Sequence, residues 1–531
     1  MRLYAFLVFM LILAVSKAQE RPVYTLDRET VHENEPDSVR SYTAFYSAGE
    51  TPLLIPAFDT VHVRSSWLDY LLNKPLWEVR TPDYGFRVSP LLWLEAGITH
   101  DSMRRIFINT RGVRVEGYVG RQVRFGTEIY ENQARFPAYE YRLFKSRRTG
   151  NGFPALVPGF GIAKLEKNGV LDFPLATGYV RYRPSRFFVF QLGHGHPFIG
   201  YGYRSLFLSD DVPPYGYFRI ESRFWHLRYI VMWSQLQDVR YPLVKPNTGV
   251  YHKKFMATHY IDWAVTTRWN IGLFENVIWD PAYGRGFDLN FLNPVIFFKT
   301  LELQTGTKTA NTVLGLETRY RLPWHTAVYG QFLLDEMTVS KFFGQPGYWA
   351  NKYAFQVGLH SVQHWGRHRL SLRAEYNYVR PFTYSHHRTT INYGHDNWSL
   401  AHPWGANLTE WLGIIKWRYK RWGADFLIDH GRQGLDFPGR PETYGADIYR
   451  DYEDRYASDG VYTLNGNLFK RMMLQTTVHY TLNPVYKLQL FAGASYRRFR
   501  IDQPTAVVRN ENQTWWFGGL RTYLFDFHKP W

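Results

Sequence analysis

From Thr312 to Trp531 the chain alternates between very short polar turns and long aromatic loops, with strands of two-residue period on either side of each. Tight turns at one end and long loops at the other are the plan of an outer-membrane β-barrel. The period is clearest where Leu370, Leu372, Ala374, Tyr376 and Tyr378 share one parity and Ser371, Arg373, Glu375 and Asn377 share the other. Successive side chains of a strand point to opposite faces, which puts the first set toward lipid and the second toward a wet interior. Leu314, Leu316, Thr318 and Tyr320 alternate in the same way with Gly315, Glu317 and Arg319, and Leu474, Thr476, Val478, Tyr480 and Leu482 with Gln475, Thr477 and His479. Nearer the start, Val113, Val115 and Val119 oppose Arg114, Glu116 and Tyr118 ahead of a tight turn at Gly120, Arg121 and Gln122.

Sorted by length, the short connections fall near Pro184 and Ser185, Trp225 and His226, Thr266 and Thr267, Leu322 and Pro323, Gly366 and Arg367, Lys420 and Arg421, and Asn483 and Pro484. The long ones fall at 194–215, 280–310, 335–351, 380–408, 430–467 and 501–514, where they face outward or fold into the lumen. The fold expected is all-β, a transmembrane antiparallel barrel of about 16 to 18 strands plugged by inward-folded loops, with an even count because both termini lie in the periplasm. The stretch 160–182 fits strand or loop. The last strand, 515–527, ends in Tyr523, Phe525 and Phe527, and Arg521 shares their parity. An arginine facing lipid at mid-depth costs about 2–4 kcal/mol, so it needs an interfacial position or a bulge.

Residues 1–18 read as a signal peptide: Arg2, an apolar run from Leu3 to Val15, and a small-x-small site at Ser16 to Ala18. Residues 19–80 read as a periplasmic leader or plug containing an apolar cluster at Ser66–Leu72, and 81–531 as the barrel. Nothing after the signal peptide approaches the roughly 20 apolar residues of a spanning helix, so a membrane location requires a closed barrel. The aromatic fraction of 18% suits two interfacial girdles, and the absence of cysteine excludes a lipobox, a thiol nucleophile, a disulfide and a thiolate metal site. A formal net charge of +17 favours acidic partners such as lipid phosphates or uronic-acid polysaccharides.

The chain has no HExxH, GxSxG or GxxxxGK[ST] motif, and no nucleophile can be paired with a base, so neither an enzyme nor a cofactor is expected. His194 and His196 share a strand parity and could hold a metal, but no third ligand is placed beside them, and the plainer reading is a glycine-rich loop. His386 and His387 read the same way. Asp447, Asp451, Glu453, Asp454 and Asp459 lack the spacing of a calcium loop and read as a solvated outer loop.

The segment Gln191–Asp210, followed by Pro213, Pro214 and Phe218, resembles the outer-membrane barrel family that includes the gliding-motility protein RemB. It is more distantly similar to the capsule-assembly protein Wzi. Leu292–Lys299, Tyr329–Glu336 and His402–Glu410 look like the same family, in the same order along the chain. The resemblance implies a monomeric, non-enzymatic outer-membrane barrel, with a mouth that binds or anchors capsular or exopolysaccharide or that supports gliding and adhesion. The partners implied are lipopolysaccharide, surface polysaccharide and other outer-membrane or motility proteins, not nucleic acid. A substrate-selective channel and an accessory subunit of a larger outer-membrane complex are the alternatives. From the residues themselves, Gly193, Gly195, Gly200 and Gly202, with His194, His196, Ser205 and Ser209, suit a backbone folded inward as a lumen plug. Arg204, Arg285, Lys299 and Arg388 could pair with acidic sugars, and Trp349, Trp398 and Trp404 could present ring faces to them, the plainer role of each tryptophan being an interfacial anchor or loop packing.

Overall fold

Strands that alternate apolar and polar faces can bury neither face alone, and closing them into a ring gives each face its own environment. The computed structural model describes residues 44–46, 65–100, 105–147, 154–242, 250–281, 286, 288–295, 297–305, 310–522 and 529–531. Its strands form a closed antiparallel barrel of 18. They are β1 (Tyr84–Thr99), β2 (Arg105–Val119), β3 (Val123–Arg135), β4 (Leu171–Tyr182), β5 (Phe188–Gly195), β6 (Tyr215–Phe224), β7 (Leu227–Pro242), β8 (Tyr251–Ala264) and β9 (Trp269–Trp279). The ring continues with β10 (Ala310–Leu322), β11 (Thr326–Glu336), β12 (Lys352–Trp365), β13 (His368–Val379), β14 (Leu408–Tyr419), β15 (Trp422–Leu435), β16 (Asn467–Asn483), β17 (Leu488–Ile501) and β18 (Glu511–Arg521). Each strand pairs with its neighbours in the chain, and β18 closes the ring on β1 from Trp515 opposite Thr99 to Arg521 opposite Trp93. The short connections fall where the sequence places them, β1 starts and β18 ends at that same end, and 160–182 resolves into a short strand, Gly161–Leu165, that turns back to pair with the start of β4, and β4 itself.

Facing follows the expected parity. Ser371, Arg373, Glu375 and Asn377 are buried inside, while Leu192, Val357 and Leu490 on the outer wall are 65%, 58% and 56% exposed. A belt of outward aromatics, including Trp225, Tyr320, Trp324, Trp365 and Trp422, rings the short-turn end, and Phe218, Phe332, Trp411 and Trp516 stand near the long-loop end. Two girdles bounding an apolar band are what a bilayer requires.

Two features depart from the sequence expectation. Arg521 needs neither an interface nor a bulge, because in β18 the odd positions face inward. Its guanidinium lies 4.6 Å from the Phe491 ring and 5.1 Å from that of Trp93, and its Nε donates to Gln489 at 3.3 Å. Tyr523, Phe525 and Phe527 lie outside the described residues, as does the signal peptide. The β9–β10 connection folds neither into the lumen nor away from the barrel but down its outer wall, where Trp233 Nε1 donates to Phe291 O at 2.9 Å and Phe298 stacks on His259 at 4.1 Å. Its helix α3 (Phe298–Thr305) and Phe291 cover Val231, Ala257 and Val277 from outside.

At the short-turn end, helix α1 (Ser66–Asn73) is held by Arg421, which donates to Asn73 Oδ1 at 2.8 Å. At the other end, helix α2 (Ala138–Ser146) leans in from the β3–β4 connection, with Glu140 2.6 Å from the inward Arg497. Ala44–Tyr46 also lies inside: Phe45 and Tyr46 pair with Ile199 and Phe198, and the Phe45 ring sits 4.8 Å from the Arg219 guanidinium and 5.6 Å from that of Arg228.

Candidate functional site

An 18-stranded ring is wider than its own side chains can fill, so whatever else occupies the interior decides what the barrel can do. The β5–β6 connection, 196–214, crosses to the inward side chains of β10–β14. Tyr201 N donates to Glu317 at 3.0 Å, Tyr203 N and Arg204 N donate to Glu375 at 2.8 and 3.1 Å, and Leu206 N donates to Gln331 at 2.9 Å. In the other direction Gln356 Nε2 donates to Arg204 O at 3.1 Å and Arg373 Nη1 to Tyr201 O at 2.7 Å. The backbone groups of this irregular segment are thus satisfied by strand side chains, as buried backbone must be.

At the centre, Arg204 donates to Glu410 through Nε at 3.2 Å and Nη2 at 3.0 Å, and to Pro530 O at 2.6 Å. His402 Nδ1 accepts from Trp404 N at 3.3 Å, which leaves Nε2–H to donate to Glu410 at 2.9 Å. Asn377 Nδ2 donates to Glu410 and Glu375, both at 2.9 Å, and thereby links the two carboxylates. Lys529 pairs with Asp211 at 2.8 Å. Solvent scarcely reaches this network: Glu317, Asn377, His402 and Glu410 are 0% exposed, Arg204 and Gln356 1%, and Glu375 and Gln331 2%.

Of the residues expected to form the plug, Gly193, His194 and Gly195 belong to β5 itself; the inward course begins after them. His196 is buried with Nδ1 2.9 Å from Val212 O, and burial pushes it down to about 4, which keeps it neutral. Gly200 and Gly202 are where the fold demands glycine. Gly200 has φ +148°, and a Cβ on Gly202 would lie 2.5 Å from Gln356 Oε1 and 2.6 Å from Arg204 O. Ser205 donates to Ile199 O and accepts from Phe207 N at 3.0 Å, and Ser209 Oγ donates to Asp211 at 2.8 Å. Both serines brace the segment.

The residues expected to bind ligand do not converge on one mouth. Arg204 is enclosed in the lumen, and Arg388 is held by both oxygens of Asp280 at 2.6 and 2.7 Å; against the upward push of burial, His252, Thr390 and Arg388 together hold that carboxyl well below the usual carboxylate range. Lys299 stands on α3 against the outer wall, its backbone N–H donating to Glu275 at 2.9 Å, and Arg285 lies outside the described residues. Trp349, Trp398 and Trp404 are 9%, 3% and 7% exposed, so their ring faces are not offered to solvent. Each is covered by a cation instead: Arg455 at 4.4 Å over Trp349, Arg147 at 5.0 Å over Trp398 and Arg471 at 3.5 Å over Trp404. Parity could not foresee this, because burial of a loop residue depends on which other loop folds over it.

The more accessible aromatics of the long-loop end are different ones, Phe343 of the β11–β12 connection at 80% exposure and a group on the β15–β16 connection. Phe437 meets Tyr444 edge-on at 5.3 Å and Tyr444 stacks on Tyr456 at 4.3 Å, all three half-buried, and Tyr462 is 52% exposed. Three acids of the run are paired: within the loop Glu453 with Arg455 at 2.8 Å and Asp454 with Arg450 at 3.7 Å, and across to the 380–408 connection Asp451 with His387 at 3.1 Å. Burial pushes His386, behind it, down to about 4. The residues missed were Glu317, Gln331, Glu375, His402 and Glu410 as partners of Arg204 and its segment. A signal existed, since Gln331 lies within Tyr329–Glu336 and the bonded His402 and Glu410 are the two ends of His402–Glu410.

Fold and site together define a closed antiparallel barrel whose inward polar side chains on β10, β11, β13 and β14 are bonded by its own 196–214 connection. No protein-family model and no curated protein matches the chain. Among solved structures it is similar to Escherichia coli Wzi, an outer membrane protein involved in group 1 capsule assembly described as a carbohydrate-binding β-barrel, with 12% identity over 82% of this chain and 83% of that one and a TM-score of 0.48. It is also similar to Pseudomonas aeruginosa OprD, with 12% identity, coverages of 83% and 96% and a TM-score of 0.40, and to Acinetobacter baumannii OccAB1, with 10% identity, the same coverages and a TM-score of 0.40. These are likenesses of barrel architecture.

Proposed function

We propose that this protein is a non-enzymatic barrel of the bacterial outer membrane, plugged by its 196–214 and 380–407 connections, whose long-loop end binds or anchors surface polysaccharide. The observation that carries this reading is the near-zero exposure of the inward polar side chains at mid-wall, from Glu317 to Glu410. A diffusion channel needs those groups solvated. With the lumen filled, the work falls to the long-loop surface, where exposed Tyr462 stands near half-buried Phe437, Tyr444 and Tyr456 and the cations Arg440 and Arg455, a combination suited to sugar rings bearing carboxylates. The resemblance to the RemB-containing barrel family supports the same reading, and the short-turn end, where both ends of the strand order lie, is then periplasmic.

Two measurements test it. In planar bilayers the purified barrel stays closed, whereas a variant with 200–210 replaced by a short glycine-serine linker conducts. On immobilised polysaccharide from the producing cell, the wild type is retained and Tyr462→Ala is retained less. Steady conductance by the wild type, with no retention, replaces the anchor reading with a substrate-selective channel.

A further inference from the structure

Neighbouring strands hold their facing residues about 5 Å apart, so like charges placed directly opposite one another repel. On the outer wall of β15–β17 this barrel makes that placement repeatedly. Arg432 is the register partner of Lys470, and Lys470 is the register partner of Arg500; Arg498, opposite Met472, stands one outward position below Arg500. The four share the outer face, alternating with the buried inward Gln433, Phe469, Arg471, Arg497 and Phe499. Arg432, Lys470 and Arg498 are exposed, and among the described residues none of the three forms an ion pair with a carboxylate. Arg500 is half-exposed and donates only to the carbonyls of Phe499 and Glu511, at 2.6 and 3.3 Å. The groups in register on the flanking strands are neutral, Thr409 on β14 and Asn512 on β18, and His430 stands one outward position below Arg432; of the carboxylates that follow these strands directly, Asp436 after β15 is paired with Arg450, and Asp502 follows β17. The wall of β2 and β3 is built differently, with Arg111 opposite Glu131.

Depth separates this row from an ordinary solvated edge. Below the cations the outward positions are largely apolar: Phe426 and Ile428 on β15, Met472, Leu474 and Val478 on β16, and Leu490, Ala492 and Ala494 on β17. From Trp422 to Arg432, Tyr480 to Lys470 and Leu490 to Arg500 is roughly ten residues on each strand, ~33 Å along the strand and about 25 Å once tilted, which matches the height of a barrel's apolar band. The cations therefore stand at the far edge of that band, where headgroups begin.

We propose that Arg432, Lys470, Arg498 and Arg500 form a binding site for the phosphate groups of an outer-leaflet glycolipid whose acyl chains lie on the apolar wall beneath them. The site rests on the membrane placement proposed above but not on polysaccharide binding. Arginine supplies planar, bidentate phosphate contacts and lysine a point charge, and a lipid phosphate offsets the repulsion within the row. Two of the cations standing level with each other across adjacent strands would let a headgroup with two phosphates engage both.

The test places the full-length barrel in nanodiscs containing either bis-phosphorylated lipid A or its enzymatically dephosphorylated form and counts retained lipid by native mass spectrometry. The wild type is expected to retain the phosphorylated form in preference, on the order of tenfold or more, with the preference falling as salt rises. Arg432→Ala combined with Lys470→Ala and Arg498→Ala abolishes the preference, and Lys470→Glu, a single change on the exposed face, reduces it if the triple variant does not fold. Arg111→Ala on β2, three strands further round the ring from β17, leaves it unchanged. Equal retention of the two lipids by the wild type overturns the site. Displacement of the lipid by millimolar inorganic phosphate overturns the lipid as its occupant. Failure to enter bilayers at all sinks the membrane placement and the site with it, whereas loss of polysaccharide retention with lipid preference intact sinks only the anchor reading.

Discussion

Arginine appears in two settings in this barrel, and only one is closed. Inside, Arg204 meets Glu410 at 3.0 Å within a network in which His402 and Asn377 occupy the remaining carboxylate positions. Outside, Arg432 and Lys470 stand in register and Arg498 one outward position below their level, and among the described residues none of the three has an acid of its own. A sequence count of cations treats the two sets alike. The difference teaches that buried charge must be partnered by the protein itself, since removing two ions from water is costly unless geometry and hydrogen bonds offset it, whereas charge at a headgroup boundary can leave its partner to the membrane.

The sharpest way to break that contrast is Glu410→Ala, which leaves Arg204 buried without its carboxylate and should destabilise the barrel by about 3–5 kcal/mol, read as a lowered urea midpoint in detergent. A loss under 1 kcal/mol would mean water reaches Arg204 and the lumen is open. Gly202→Val attacks the same region by shape alone: its Cβ would press on Gln356 and the Arg204 carbonyl, at about 1–3 kcal/mol, with a gain of conductance if the 196–214 segment is displaced.

Acidity tests the boundary between the regions. The loop carrying His395 and Asp396 rests on β7, with Gln237 N donating to His395 Nδ1 at 3.1 Å and Asp396 N donating to Gln237 O at 3.1 Å. Burial pushes Asp396 up to about 7 and His395 down to about 3, so the two, 3.6 Å apart, meet as neutral groups rather than as an ion pair. The raised Asp396 contributes stability that is complete below about pH 3.9 and is lost as pH rises through about 7. The lowered His395 contributes stability that is present above about pH 6.5 and lost as pH falls toward about 3. These slopes oppose one another between about pH 4 and 6.5, so wild-type hydrogen exchange across 389–399 should change little there. Asp396→Asn removes one slope, and the loop should then loosen by up to about 1.4 kcal/mol per pH unit as pH falls below 6.5.

The smallest effect has the opposite sign. Lys470→Ala in lipid-free detergent should leave stability unchanged or raise it by about 0.2–1 kcal/mol, because a cation between two arginines is removed. Destabilisation comparable with that of Glu410→Ala would show that the outer row is structural.

Much of the architecture was legible from the residues. Side-chain period is a local property, and the parity of Leu370–Tyr378 or Leu314–Tyr320 states which face meets lipid whatever lies across the barrel. The short connections were legible for the same reason, since a hairpin turn is set by the few residues at its tip. Arg521 shows the limit: its parity was shared with aromatics, and only the ring of neighbours, Trp93 and Phe491, shows that these odd positions face inward.

Sequence alone therefore determined that this chain closes into an antiparallel barrel, which end carries its long loops, and that its cations outnumber its acids. Tertiary structure decided which cations are neutralised, that Trp349, Trp398 and Trp404 are packed away while Tyr462 is not, and that the β9–β10 connection lies on the outer wall. Alternation repeats every two residues and can be read along one strand. The partners of Arg204 lie on β14 and near residue 530, far away in sequence, and are brought to it only by closure of the ring.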